Sequence, residues 1–229
     1  MLKYRKWVWL LAVAALGAVL GSAVLVLPSR RLSFADPKLE VAVRAAVGKA
    51  TGPLSRADAK GLVKLDASDR GISDLRGIEA LTSLAKLSLN ENQISDVTPL
   101  SRLTRLTQLD LWDNRISNLV PLSGVEGLTQ LSLGQNQISD VVPLSELTHL
   151  EVLSLDHNQI SDIAPLSKLT RLTLLWLEEN QISDVTPLSK LTRLEELYLN
   201  DNQISDVTPL TKLKHLEELY LDDNPIPTY

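Results

Sequence analysis

The chain has 229 residues, a formal net charge of −5 and no cysteine, which leaves no disulfide, thiolate metal site, cysteine nucleophile or cysteine-linked lipid anchor. An acidic balance gives no general affinity for nucleic acid. With one Phe and one Met, any core has to be built from Leu, Ile and Val, and the length suits one elongated domain behind an N-terminal segment.

Residues 1–35 read as a signal peptide or a signal anchor. Lys3, Arg5 and Lys6 precede an uncharged run, Trp7–Leu27, and Arg30 and Arg31 restore charge after Pro28. An apolar helix of about 20 residues spans a bilayer, whereas the apolar core of a cleaved signal is typically ~7–15 residues. Small-x-small cleavage sites stand at Gly21-Ser22-Ala23 and at Ser33-Phe34-Ala35, ahead of Asp36. The expectation is therefore a membrane-anchored protein with the remainder outside the cytoplasm, or a secreted or periplasmic one if the segment is removed. The basic excess on the leader side places the N-terminus inside, and Trp7 and Trp9 suit the membrane interface.

Residues 36–61 predict a helical cap. Asp36 is a good N-cap and Pro37 a good first helical residue. Leu39, Val43, Ala46 and Val47 mark one face, and Gly48 is a stop. After the Thr51-Gly52-Pro53 turn, Ser55 and Asp58 form a capping-box pattern before a second short helix ending near Gly61.

Residues 62–229 are repeats. Asn92, Asn114, Asn136, Asn158, Asn180, Asn202 and Asn224 recur in steps of 22 with no insertion. Around each lies L-x-x-L-x-L-x-x-N-x-I, from Leu84, Leu87, Leu89, Asn92 and Ile94 to Leu216, Leu219, Leu221, Asn224 and Ile226. A fixed period in this range signals a solenoid. Within L-x-L the residues alternate, so Leu197 and Leu199 point inward and Glu196, Tyr198 and Asn200 outward. Each copy thus supplies a short strand with one buried face, and stacked copies give a parallel sheet stabilised by their neighbours. The repeated Asn, with both donors and an acceptor, suits a ladder satisfying backbone groups where the chain turns inward. The recurrent Asp, as at Ser183-Asp184 before Pro187-Leu188, suits a cap on a short helical turn. A degenerate first copy uses Leu62, Leu65, Ala67, Arg70 and Ile72; near Gly124 and Gly127, Val125 replaces Leu and Asn118 replaces Asp. No C-terminal cap is recognisable; Pro225 and Pro227 blunt a sheet edge, which leaves edge assembly or a longer chain open.

The frame resembles the 22-residue class of leucine-rich repeats, as in bacterial internalins and a regulatory subunit of protein phosphatase 1. The resemblance runs from Leu62 to Ile226, and through the helical cap to about Asp36. It implies an α/β solenoid, a horseshoe or arc with a parallel concave sheet and short helical or 3-10 convex segments, binding a partner on the concave face.

Nothing in the chain predicts catalysis, a cofactor or a metal site. No phosphate-binding Gly loop, zinc spacing or calcium loop occurs. Ser154, Asp156 and His157 hold triad residue types, but no distant element orients His157 as a base. His149 and His215 fall on the variable surface.

A binding surface is legible in two outward columns of the register. One reads Ser88, Asp110, Ser132, Ser154, Trp176, Tyr198 and Tyr220; the next reads Asn90, Trp112, Gly134, Asp156, Glu178, Asn200 and Asp222. Every Trp and Tyr between Asp36 and Asn224 lies in them. Adjacent parallel strands are about 4.8 Å apart, so Trp176, Tyr198 and Tyr220 are expected to form a row, with acidic residues around it. The predicted partner-binding set is Trp112, Trp176, Glu178, Tyr198, Asn200, Tyr220 and Asp222. It predicts a protein or peptide partner with a basic patch; a glycan stacked on the rings, or an adhesive envelope protein assembling through repeat edges, is the alternative.

Overall fold

The structure is a computed structural model that describes residues 31–227. The apolar run 7–27 and the Gly21-Ser22-Ala23 site lie outside the described residues. Among the described residues no helix is long and apolar enough to cross a membrane.

Eight three-residue strands form one parallel sheet in sequential order: β1 (Lys64–Asp66), β2 (Lys86–Ser88), β3 (Gln108–Asp110), β4 (Gln130–Ser132), β5 (Val152–Ser154), β6 (Leu174–Trp176), β7 (Glu196–Tyr198) and β8 (Glu218–Tyr220). Residues 22 apart are direct neighbours, as in Leu175↔Leu197 and Tyr198↔Tyr220. The opposite side of each coil is a short 3-10 segment, such as Ala164–Lys168 or Thr186–Lys190, with Pro at its start. This is the expected leucine-rich-repeat arc, with its sheet on the concave side. The core runs unbroken from Leu32 to Leu213, and the inward strand residues Leu65, Leu153, Leu175 and Leu197 are fully buried.

The asparagine ladder has the expected role. Asn158 Nδ2 donates to the carbonyls of Leu133, Leu155 and Asp156, and its Oδ1 accepts from Ile138 N. Asn180 repeats this one coil on, against Leu155, Leu177, Glu178 and Ile160. Arg70 cannot make such a rung, and Asn92 Oδ1 accepts from both Arg70 N and Ile72 N to close the first coil. The residue before each ladder Asn, and Asp69 before Arg70, is left-handed, with φ between 49° and 58°. That conformation costs an L-residue roughly 1–2 kcal/mol, and the ladder bonds on either side hold the chain in it. The Asp column caps as expected: Asp184 accepts from Thr186 N at 2.8 Å and Asp162 from Ala164 N at 2.8 Å. Asn118 makes the same bond to Val120 N.

The cap differs from expectation in three places. Helix α1 (Pro37–Val47) forms, with Asp36 accepting from Lys38 N and Gly48 left-handed at its end, but its buried face is Leu39, Ala42 and Val43; Ala46 is exposed. By the 3.6-residue period Ala46 shares the face of Leu39 and Val43, but it stands in the last turn of the helix, where it is exposed. No second helix follows. Asp58 does accept from Ser55 N and its hydroxyl, and from Lys49 Nζ, yet 55–61 is a run of turns in which Asp58, Lys60 and Leu62 each bond three residues back. The segment is too short to propagate an α-helix, and tight turns bury Ala59 and Leu62. Finally, the folded unit begins at Arg31, ahead of Asp36. Leu32 and Phe34 are buried, and Leu32 N and Ala35 N donate to Leu54 O and Arg76 O.

Candidate functional site: an aromatic row on the concave sheet

The 22-residue step places Trp176, Tyr198 and Tyr220 on adjacent strands β6, β7 and β8. Their rings stack. Trp176 and Tyr198 have centroids 5.8 Å apart with planes at 23°, and Tyr198 and Tyr220 are 4.6 Å apart at 8°. The row is fixed through its hydroxyls. Tyr198 donates to Glu196 at 3.0 Å and lies 3.3 Å from Glu218, to which Tyr220 donates at 3.0 Å. Loss of water around the Tyr198 phenol, together with Glu196, pushes its pKa above the ordinary tyrosine range. The hydrogen bond to Glu218 does the same for Tyr220. Both hydroxyls therefore remain protonated donors at neutral pH, and the carboxylates they hold stay aimed along the row.

Of the remaining expected residues, Asn200 Oδ1 accepts from Asp222 N at 3.0 Å, so it ties β7's exit to β8's; Asp222 is exposed. Glu178 is half-buried, and its Oε2 has no hydrogen-bond partner. Burial first, and the nearby Asp156 carboxylate after it, raise the Glu178 pKa above the ordinary range. Trp112 is not part of the row. It follows β3, three strands or roughly 14 Å from β6, and its neighbours one repeat away are Asn90 and Gly134, which carry no ring. Gly134 in turn makes room for Asp156: a Cβ there would collide with the Asp156 carboxylate.

Glu178 favours protonation in the folded state, so its ionisation opposes folding as pH rises through the ordinary glutamate range, and that penalty is complete above its raised folded value. Glu178→Gln is expected to melt higher than the parent at pH 7. The gain should shrink as pH falls from the raised folded value toward the ordinary glutamate range and be absent below it. A lower melting temperature for the variant at pH 7 would mean that the carboxylate stabilises the fold.

Ser154, Asp156 and His157 come together without making a nucleophile and base. The Ser154 hydroxyl donates to Asp156 Oδ1, while His157 lies beside the other carboxylate oxygen at 3.5 Å and pairs with Glu179 at 3.0 Å. The carboxylate stands between hydroxyl and imidazole, whereas base catalysis needs the imidazole against the hydroxyl. Among the described residues no group of three or more His, Asp or Glu is placed to hold a metal ion.

A third outward column, of which Glu196 is a member, completes the concave face. The first residues of the strands also face outward. The series opens with Lys64 and Lys86. Gln108 and Gln130 follow, then Val152 and Leu174, and Glu196 and Glu218 close it. Its signal was present in the same 22-residue register. A shallow groove of about 400 Å³ runs over β1–β5, between Lys64, Lys86 and Gln108 on one wall and Asp66, Ser88 and Asp110 on the other. The concave sheet thus has a polar groove toward its N-terminal end and an aromatic ridge toward its C-terminal end.

Comparison with known proteins agrees with this architecture. Family models described as leucine-rich repeats match residues 148–190 and 192–228, and another matches 104–160. A search of curated proteins gives no match. Among solved structures, internalin C2 from Listeria monocytogenes is 42% identical with a TM-score of 0.83, covering 85% of this chain and 87% of that one. A second Listeria monocytogenes internalin, InlF, is 31% identical over 86% of this chain and 72% of its own, with a TM-score of 0.57. The leucine-rich-repeat ectodomain of an Arabidopsis thaliana membrane receptor kinase, solved in complex with Casparian strip integrity factor 2, is 25% identical with a TM-score of 0.64. It aligns over 75% of this chain and 22% of its own.

Proposed function

We infer the function from the family: this chain belongs to the leucine-rich-repeat proteins of the internalin type, and we propose that it is a non-catalytic scaffold that binds a protein partner on its concave face. The observation that carries the reading is the stacked row of Trp176, Tyr198 and Tyr220, braced by Glu196 and Glu218 on an open sheet. Aromatic side chains held rigid on a surface are the usual anchors of protein interfaces, and the carboxylates favour a partner with a basic patch. The stacking also bears on partner class. Adjacent rings cover one another's faces, so most of the row presents edges and carboxylates outward, which serves side chains of a protein better than a sugar lying on a ring face.

The partner is proposed to be met outside the cytoplasmic membrane. The support is the basic leader and uncharged run at 7–27. Burial of Leu32 and Phe34 adds a constraint: cleavage before Asp36 would strip two core side chains from the cap, so export with the anchor kept, or cleavage after Ala23, is the consistent outcome. N-terminal sequencing of the membrane and soluble fractions tests this. A mature chain starting at Asp36, or an intact chain in the cytosol, would contradict it.

A photo-reactive side chain tests the binding face in the full chain. Introduced at Asp222, which is exposed beside the row, it is expected to give a discrete adduct with a partner protein. Introduced at Lys190, exposed on the convex side, it is expected to give none. Adducts from Lys190 alone would place binding on the other side.

A further inference from the structure

We propose that the partner segment is charge-ordered: an extended stretch of roughly ten residues lies across the strands, with carboxylates over β1 and β2, apolar side chains over β5 and β6, and basic side chains over β7 and β8. The proposal rests on the concave-face reading above and adds the order of the partner's chemistry. Its basis is the column of strand-opening residues, in which Lys64 faces Lys86, Val152 faces Leu174 and Glu196 faces Glu218. Like charges directly opposite on neighbouring strands destabilise a sheet. An arrangement that served stability alone would intersperse the signs, and this one sorts them.

The Lys64 charge acts on the Asp66 carboxylate of the same strand, but not as a close ion pair. None of the ion pairs among the described residues involves Lys64, Lys86, Glu196 or Glu218. Lys64, Lys86 and Glu218 are exposed, and Glu196 is half-buried under its tyrosine hydrogen bond. The groove over β1–β5 gives room for side chains arriving at the lysine end. The column spans seven strand spacings, roughly 34 Å at about 4.8 Å each, which an extended peptide covers with about ten residues at ~3.3 Å. A uniformly basic partner would satisfy Glu196 and Glu218 but would set its own charge against Lys64 and Lys86.

Four synthetic peptides of equal length test the order by fluorescence anisotropy against the full chain at low salt. Two carry Asp and Glu at one end, Leu and Val in the middle and Lys and Arg at the other, written in the two chain directions. The third has the same composition with its charges alternated; the fourth is uniformly basic. One ordered peptide is expected to bind at least about tenfold tighter than the alternated one, and K64E/K86E is expected to weaken it by about tenfold or more. Equal retention of ordered and alternated peptides, including no measurable binding of either, would overturn the proposal, as would tighter binding by K64E/K86E. The uniformly basic peptide separates this failure from failure of the aromatic site. If it binds the parent and is lost when Trp176, Tyr198 and Tyr220 become Ala, the row is a binding site and only the charge order is wrong. If no peptide responds to that triple change, the row itself is not the site.

Discussion

Asn158→Ala should lower stability by about 3 kcal/mol, and Asp156→Ala, two residues away, by no more than about 0.5 kcal/mol. The difference follows from where each bond ends. Three of the four Asn158 bonds go to carbonyls that keep another donor: Leu133 O also accepts from Asn136, Leu155 O from Asn180, and Asp156 O from Gln135 N. Ile138 N has no acceptor except Asn158 Oδ1, and Ile138 is fully buried. Truncation therefore leaves one donor orphaned in the core, worth roughly 1–3 kcal/mol, and removes three further bonds whose acceptors survive. Asp156 instead projects from the open face, accepting from Ser154 and crowding the Glu178 carboxylate; removing it relieves that repulsion while losing one hydrogen bond. In a domain of this size the Asn158 variant should melt about 6–12 °C lower. Equal urea midpoints for the two variants would refute the ladder assignment.

Much of this molecule is legible before folding because its period is unbroken. A step of 22 residues in sequence is one strand in space, so the row of Trp176, Tyr198 and Tyr220 follows from counting, as do the rungs from Asn92 to Asn224. Trp112 shows the limit of counting: it shares the outward side with the row, but its neighbours by register are Asn90 and Gly134, and an isolated ring joins no stack. The left-handed residues from Asp69 to Asp223 are not legible as a column, since Glu91, Gln135 and Glu179 carry no preference for that conformation; the ladder imposes it. The cap was read less well because it has no period. Ser55 and Asp58 make the expected reciprocal bonds, yet local capping cannot extend a helix where the chain must turn within a few residues to enter β1. The place of segment 31–35 is not legible in the sequence, because only tertiary packing joins Leu32 and Phe34 to the core.

The central claim, that the aromatic row is the binding surface, predicts a large change from three substitutions that spare the fold. Trp176, Tyr198 and Tyr220 project from the sheet, whereas the core beneath them is Leu175, Leu177, Leu197 and Leu199, all fully buried. Their joint replacement by Ala removes two stacked pairs, worth roughly 0.5–1.5 kcal/mol each, which a solenoid with an intact ladder tolerates. Interface anchors of this type cost ≥ ~2 kcal/mol each when truncated, without simple additivity, so the loss of affinity should exceed a hundredfold. The measurement is the dissociation constant of the partner recovered through Asp222, taken for the parent and the triple variant after circular dichroism shows both folded. A loss of more than a hundredfold is the predicted result; unchanged affinity in a folded triple variant would contradict the assignment of this face.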